Sequence, residues 1–295
     1  MFLYYFLYTI NTLLMLVPPI ILGILIARKR GMSWGIYGAG AVTFVLSQVG
    51  HIPFNSLVRE GWGLDNFLFQ LPGDIGLIGI AIFLGLSSGV FEEVARYLTL
   101  RYWRKDVRTW GSGMMLGAGH GGIEAIIVGI NFAATFIVLS AYDAGLMPNL
   151  LASVPAEELA ASESFIQQQI AALANIPWYG RVLGGIERVF AVTLHLSLSL
   201  MVMQCFTQGK RRWLLLAIGW HALANAGAII IIGLTNEYLA ELFIGLMALG
   251  SLLIIRHFKQ PEPVEPEPEP LPPLKSVDLS KIEPTSDNLE SSRYV

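Results

Sequence analysis

Residues Ile75–Leu100 read IGLIGIAIFLGLSSGVFEEVARYLTL, and this stretch decides the fold. Seventeen uncharged residues run into Glu92, Glu93 and Arg96 with no break in apolar character. A helix of about 20 apolar residues crosses a ~30 Å hydrocarbon core, so the stretch is long enough to span a bilayer. Its three charges are then the anomaly. An ionisable side chain at the centre of a membrane helix costs about 2.5–3.5 kcal/mol on insertion scales, so such a group signals function.

Working outward, six further apolar stretches have the same character. The expected spans are Leu3–Ala27, Trp34–Val58, Asp74–Leu100, Trp110–Ala141, Arg181–Thr207, Trp213–Leu234 and Tyr238–Ile255. The first has no basic leader region and no small-residue cleavage site, which predicts a retained helix. Its Pro18-Pro19 pair predicts a kink of the kind membrane helices tolerate. Arg28, Lys29 and Arg30 follow span one, and Arg101, Arg104, Lys105 and Arg108 follow span three. Lys210, Arg211 and Arg212 follow span five, and Arg256 and Lys259 follow span seven. The opposite connections hold only Arg59 and Arg181. The positive-inside bias therefore predicts the N-terminus outside, the C-terminus in the cytoplasm and a multi-pass protein of the plasma membrane.

The overall composition agrees. Of 295 residues 14% are charged, against about 25% in soluble domains. That excludes an ordinary soluble enzyme and a nucleic-acid binder with a basic face. A single cysteine, Cys205, excludes an internal disulfide and sits in an apolar run, where a buried inert thiol is expected. Two domains are expected, a helical bundle over residues 1–259 and a tail over residues 260–295. The last 35 residues hold 8 acidic and 3 basic side chains and open PEPVEPEPEP. They are too polar and proline-rich to bury a core, which predicts a disordered cytoplasmic extension. The long connection Tyr142–Gly180 carries a helix start at Ser153-Val154-Pro155 and apolar Leu159, Ile166, Ile170 and Leu173. It reads as a helix lying on the outer membrane surface, with a lid over the bundle as the alternative.

Polar residues inside the other spans fall at one depth. Counting about 1.5 Å per residue from each basic end puts Glu92 and Glu93 at about 12–14 Å, His120 at about 15 Å, Glu124 at about 21 Å, His195 and Asn225 at about 18 Å and His221 at about 12 Å. Glu92/Arg96, His120/Glu124 and His221/Asn225 are i, i+4 pairs, so each pair shares a helix face. Glu92 and Glu93 lie about 100° apart on the helical wheel. One of them faces the site while the other orients it or pairs with Arg96, and the sequence leaves open which. Gly117, Gly119, Gly121 and Gly122 around His120 suit close backbone approach or local unwinding. Three histidines and two or three glutamates in one layer have the donor types of a catalytic zinc site, Zn2+ with an open position for water. His51 reads as an interhelical hydrogen-bond partner, His257 as solvated, and Glu187 and Arg188 as structural partners or snorkelling groups.

FEEVARY, GHGGIEA and HALAN in this order resemble the YhfC family of intramembrane metalloproteases, related to the CAAX-processing, bacteriocin-processing and PrsW-type enzymes. The resemblance covers Met1–Lys259. It departs from the CAAX-type pattern in three places: the arginine gives EExxR rather than EExxxR, Leu116 stands where an aromatic is usual, and Glu124 is extra. The resemblance implies an all-α polytopic bundle that hydrolyses a peptide bond in a membrane-embedded or membrane-associated substrate, at a site open towards the cytoplasm. Glu92 or Glu93 would be the base, with Arg96 fixing the pair. His120, His195 and His221 with Glu124 would hold zinc or the water, and Asn225 would donate to the oxyanion. Two rival readings use the same residues, a transporter or proton-coupled carrier and a non-catalytic membrane scaffold.

Overall fold

The computed structural model describes residues 2–146, 151–152, 154–174, 176–178 and 180–259. The acidic tail from residue 260 and Ser153 lie outside the described residues. Seven helices are long and apolar enough to cross a membrane. They are α1 (Phe2–Arg30), α2 (Trp34–Ser56), α4 (Ile75–Leu98), α5 (Trp110–Asp143), α7 (Leu183–Thr207), α8 (Arg212–Leu234) and α9 (Glu237–His257). Two shorter helices, α3 (Leu64–Phe69) and α6 (Ala156–Ala174), occupy connections. Among the described residues there is no strand. The chain is therefore an all-α multi-pass integral membrane protein, with all seven expected spans present.

The boundaries follow local chemistry. Ser33 caps α2 by accepting from the Gly35 N–H at 3.1 Å, and Asn236 caps α9 by accepting from the Leu239 N–H at 3.0 Å. Thr109 and Ser112 cap α5 reciprocally, each side chain accepting from the other's backbone N–H. α1 runs without interruption through Pro18 and Pro19. At its C-terminal end α4 widens into a π-helical segment, Thr99–Trp103, and α2 ends in another, Leu57–Gly61.

α7 is the axis of the bundle. Within its membrane-length window 72% of residues are buried, against 22–44% in the other six. α5 packs along α1, α2 and α7, α4 packs along α8 and α2, and α9 closes on α7 and α8. Asn11 of α1 accepts from the Gly185 N–H at 2.6 Å, which pins the start of α7 to α1. Outward, Leu46, Val49, Ile52, Leu215 and Leu253 are more than half exposed. So wide an apolar surface belongs against lipid rather than water.

Because the spans alternate in direction, the connections after α1, α4, α7 and α9, which carry the basic residues, gather at one end of the bundle, here called the basic end. α6 begins after Pro155 with Glu157 and Glu158 in its first turn, where the helix dipole favours acids. Its Phe165, Ile166 and Gln169 face Ala134, Val138 and Leu139 of α5 across a cleft, so α6 rests on the far turns of α5.

Candidate metal centre

Two close helix crossings assemble the polar layer. At Gly117 an added Cβ would lie 2.8 Å from the His195 carbonyl and from Leu196 Cα, so only glycine lets α5 come this near α7. At Gly89 it would lie 2.8 Å from the Ile218 carbonyl of α8. The first crossing sets the rings of His120 and His195 4.9 Å apart. The second lays Glu92 and Glu93 against His221, whose ring is 5.4 Å from that of His195. The glycines around His120 serve close packing, and α5 stays helical through them.

The glutamate pair divides cleanly. Glu93 is fully buried and pairs with Arg96, itself fully buried one turn on, and accepts from His221 Nδ1 at 2.9 Å. Glu92 faces the interior of the site. It lies 3.0 Å from His120 Nε2 and 4.0 Å from His221 Nε2, and it accepts from Ser88 Oγ and Gln48 Nε2, each at 3.2 Å. One carboxylate thus anchors the arginine and one histidine while the other looks into the cavity.

Glu92, His120 and His195 each offer a ligand atom, and these atoms lie within 4.8 Å of one another, all three residues being buried. This differs from the expected ligand set of His120, His195 and His221 with Glu124. His221 stands at the edge, its Nδ1 held by Glu93. Glu124 bonds instead to His195 Nε2 at 2.6 Å and to Arg188 Nη1 at 2.8 Å. Arg188 in turn pairs with Glu187, so both act as structural partners. A carboxylate with two imidazoles is a donor set found in catalytic zinc sites. His120 turns Nε2 to Glu92 and has no hydrogen-bond partner on its buried Nδ1, while His195 Nδ1 lies 3.3 Å from Arg96 Nη2. The donors therefore fit a metal ion of this kind.

Asn225 donates from Nδ2 to Ser88 Oγ at 2.9 Å and lines the cavity beside the cluster. His51 is an interhelical partner as expected, bonding Ser87 of α4 at 3.2 Å and Asn55 at 2.9 Å. Sequence reasoning missed Ser88 and Gln48 as partners of Glu92. Ser88 had a signal, sitting four residues before Glu92 on the same face, whereas Gln48 lies on α2, one turn before His51, with no spacing that links it to Glu92.

The polar cavities run away from the basic loops, whereas the expected opening was towards the end that carries them. A cavity of about 190 Å³ begins at Glu92, His195 and His221 and is lined further out by Glu124, Glu187 and Arg188. A second, of about 340 Å³, shares Ser88, Glu187, Asn225 and Ile244 with it and reaches His51 and Asn55. Glu187 lies four residues from the start of α7 and Asn55 one residue from the end of α2, both at the end away from the basic loops. Towards the basic end the space is filled by fully buried Leu100, Val107, Met115, Leu200 and Val202. Tyr97 stacks on Phe206 there, ring centroids 5.0 Å apart. The polar lining of the site climbs away from the basic end.

Comparison with known proteins identifies the family. Residues 13–244 match the model of the family described as YhfC intramembrane metalloprotease. Over 214 residues the chain is 33% identical to the Bacillus subtilis (strain 168) protein named "Uncharacterized membrane protein YhfC", covering 72% of this chain and 79% of that one. No solved structure matches. With the family model covering most of the bundle and a relative this similar over most of both chains, the protein belongs to the YhfC intramembrane metalloprotease family.

Proposed function

We propose that the protein is an intramembrane zinc endopeptidase whose hydrolytic centre is the Glu92–His120–His195 cluster. The convergence of those three donors within 4.8 Å in a buried layer carries the reading. Glu92, His120 and His195 would hold the ion, which supplies charge that polarises a carbonyl and acidifies water. The remaining residues have roles of their own. His221 presents Nε2 to the cavity 3.4 Å from Ser88 and 4.0 Å from Glu92, with Nδ1 aligned by Glu93. That ring takes the proton from water as the C–O bond forms and returns it to the leaving amine as the C–N bond breaks. Glu93 stabilises the imidazolium in between. Asn225 spends one Nδ2 hydrogen on Ser88 and keeps a second for the developing oxyanion. Arg96 fixes Glu93.

Further out, Arg188 holds Glu124, which holds His195. Such an outer carboxylate orients a ligating imidazole and raises its basicity. The cavity on the side away from the basic loops is the substrate's entry. With those loops in the cytoplasm, the scissile bond arrives from the outer half of the bilayer.

The test combines metal analysis of purified protein with cleavage of a membrane-spanning model peptide. The expected result is one zinc per chain. Glu92→Gln and His195→Ala lose both metal and cleavage. His221→Gln keeps the metal and loses about 10²–10⁴-fold in rate. Active protein free of metal and indifferent to chelators would overturn the reading.

A further inference from the structure

A feature remote from the centre has its own chemistry. On the lipid-facing side of α8 and α9 lies an apolar groove of about 550 Å³, lined by Trp213, Leu216, Gly219, Trp220, Leu223 and Leu253 among others. Its floor is preformed. Trp220 Nε1 donates to Ser251 Oγ at 3.0 Å, which fixes the indole as one wall. At Gly219 an added Cβ would meet nothing within 4 Å, so the missing side chain leaves the groove open midway.

The groove's length and charge indicate what fills it. From Trp213 to Leu223 it runs ten residues along α8, about 15 Å. That is half of a ~30 Å hydrocarbon core, the depth of one leaflet. His257 lines its mouth at the basic end. Arg212 lies there too, its guanidinium carbon 5.7 Å from the Trp213 ring centroid. Among the described residues no carboxylate pairs with Arg212, Arg256 or Lys259. An apolar slot one leaflet deep, ending at cations that no carboxylate among the described residues pairs and at a tryptophan at interfacial depth, matches an amphiphile with an anionic head.

We propose that this groove is a binding site for one anionic phospholipid. An acyl chain lies along Leu216, Gly219 and Leu223, and the phosphate sits on Arg212 and His257. The site is separate from the Glu92–His120–His195 cluster, so the assignment stands or falls independently of peptide cleavage.

Native mass spectrometry of the full chain in detergent tests it by titrating dioleoylphosphatidylglycerol against dioleoylphosphatidylcholine. The glycerol lipid is expected to form a preferred one-to-one complex. Arg212→Gln should reduce that preference by about five-fold, the worth of one interfacial cation. Gly219→Leu, which fills the slot, should abolish the retained lipid. Should that variant not fold, the Arg212→Gln and His257→Gln preferences decide alone. Equal retention of the two lipids, a preference unchanged in both charge variants, or displacement by excess inorganic phosphate would each overturn the proposal.

Discussion

Glu93 holds His221 by Nδ1, at 2.9 Å, and so turns the Nε2 of that ring toward Glu92. The two adjacent glutamates should therefore fail in different ways. Glu93→Gln leaves Arg96, fully buried, without its carboxylate. Removing one partner of a buried ion pair costs about 3–5 kcal/mol. Glu92→Gln keeps the shape of the side chain and its contacts with Ser88 and Gln48, and it leaves the buried pair intact. Thermal melting in detergent, read beside metal content, should show Glu93→Gln melting lower. Against metal-free wild type, Glu92→Gln should melt at nearly the same temperature, and it should take up no metal. Equal melting of the two variants would contradict this division.

Arg188 touches none of the three clustered donors, yet it should set their affinity for metal. It reaches His195 only through Glu124, over contacts of 2.8 and 2.6 Å. Arg188→Met leaves Glu124 free to swing from the imidazole. Loss of such an outer partner weakens metal binding about 10–100-fold. Competition with a zinc chelator should measure that drop, and Arg188→Lys should recover part of it. A structural role alone would lower stability and leave zinc affinity where it was.

Gly119 and Gly38 give a paired test of the α2–α5 crossing. A Cβ at Gly119 would overlap the Tyr37 carbonyl oxygen, a backbone atom with nowhere to go, whereas at Gly38 it would meet nothing within 4 Å. Gly119→Ala should cost about 1–3 kcal/mol, the usual penalty for overpacking. Gly38→Ala should be neutral or slightly stabilising, because alanine is the better helix former. Melting temperatures of the two variants in one detergent compare them directly.

The spans were legible because lipid imposes a rule that sequence cannot disguise: about 20 apolar residues, closed by charge. The layer was legible for a related reason. In so apolar a chain each intramembrane His or Glu stands out, and depth follows from helix rise. The division of labour between Glu92 and Glu93 was not legible. It depends on which way α4 is rotated against α8, and that is set by the Gly89–Ile218 crossing, not by either glutamate. Glu124 looked like a ligand because it shares a face with His120. Its partner Arg188 is 64 residues away on α7, and no spacing rule joins them. The direction of the cavity was not legible for another reason. Basic loops report which end faces the cytoplasm, but they say nothing about which end is packed shut, and that depended on where Leu100, Met115 and Leu200 meet.

The direction of the cavity makes the last prediction. Asn55 and Ile229 line its outer part, on α2 and α8, away from the basic loops. Met115, on the basic side of the layer, is fully buried. Single cysteines can be placed at these positions in a Cys205→Ser background and probed with a membrane-impermeant thiol reagent. Asp65→Cys, in the connection between α2 and α4, marks the far end, and Lys105→Cys marks the basic end. Asn55→Cys and Ile229→Cys should react from the same side as Asp65→Cys, and Met115→Cys from neither. A tight-binding peptide substrate should slow the first two, because it must pass between them to reach Glu92. Reaction of Asn55→Cys from the side of Lys105→Cys would mean that the packed layer of Leu100, Met115 and Leu200 opens, and that substrate comes through the basic end after all.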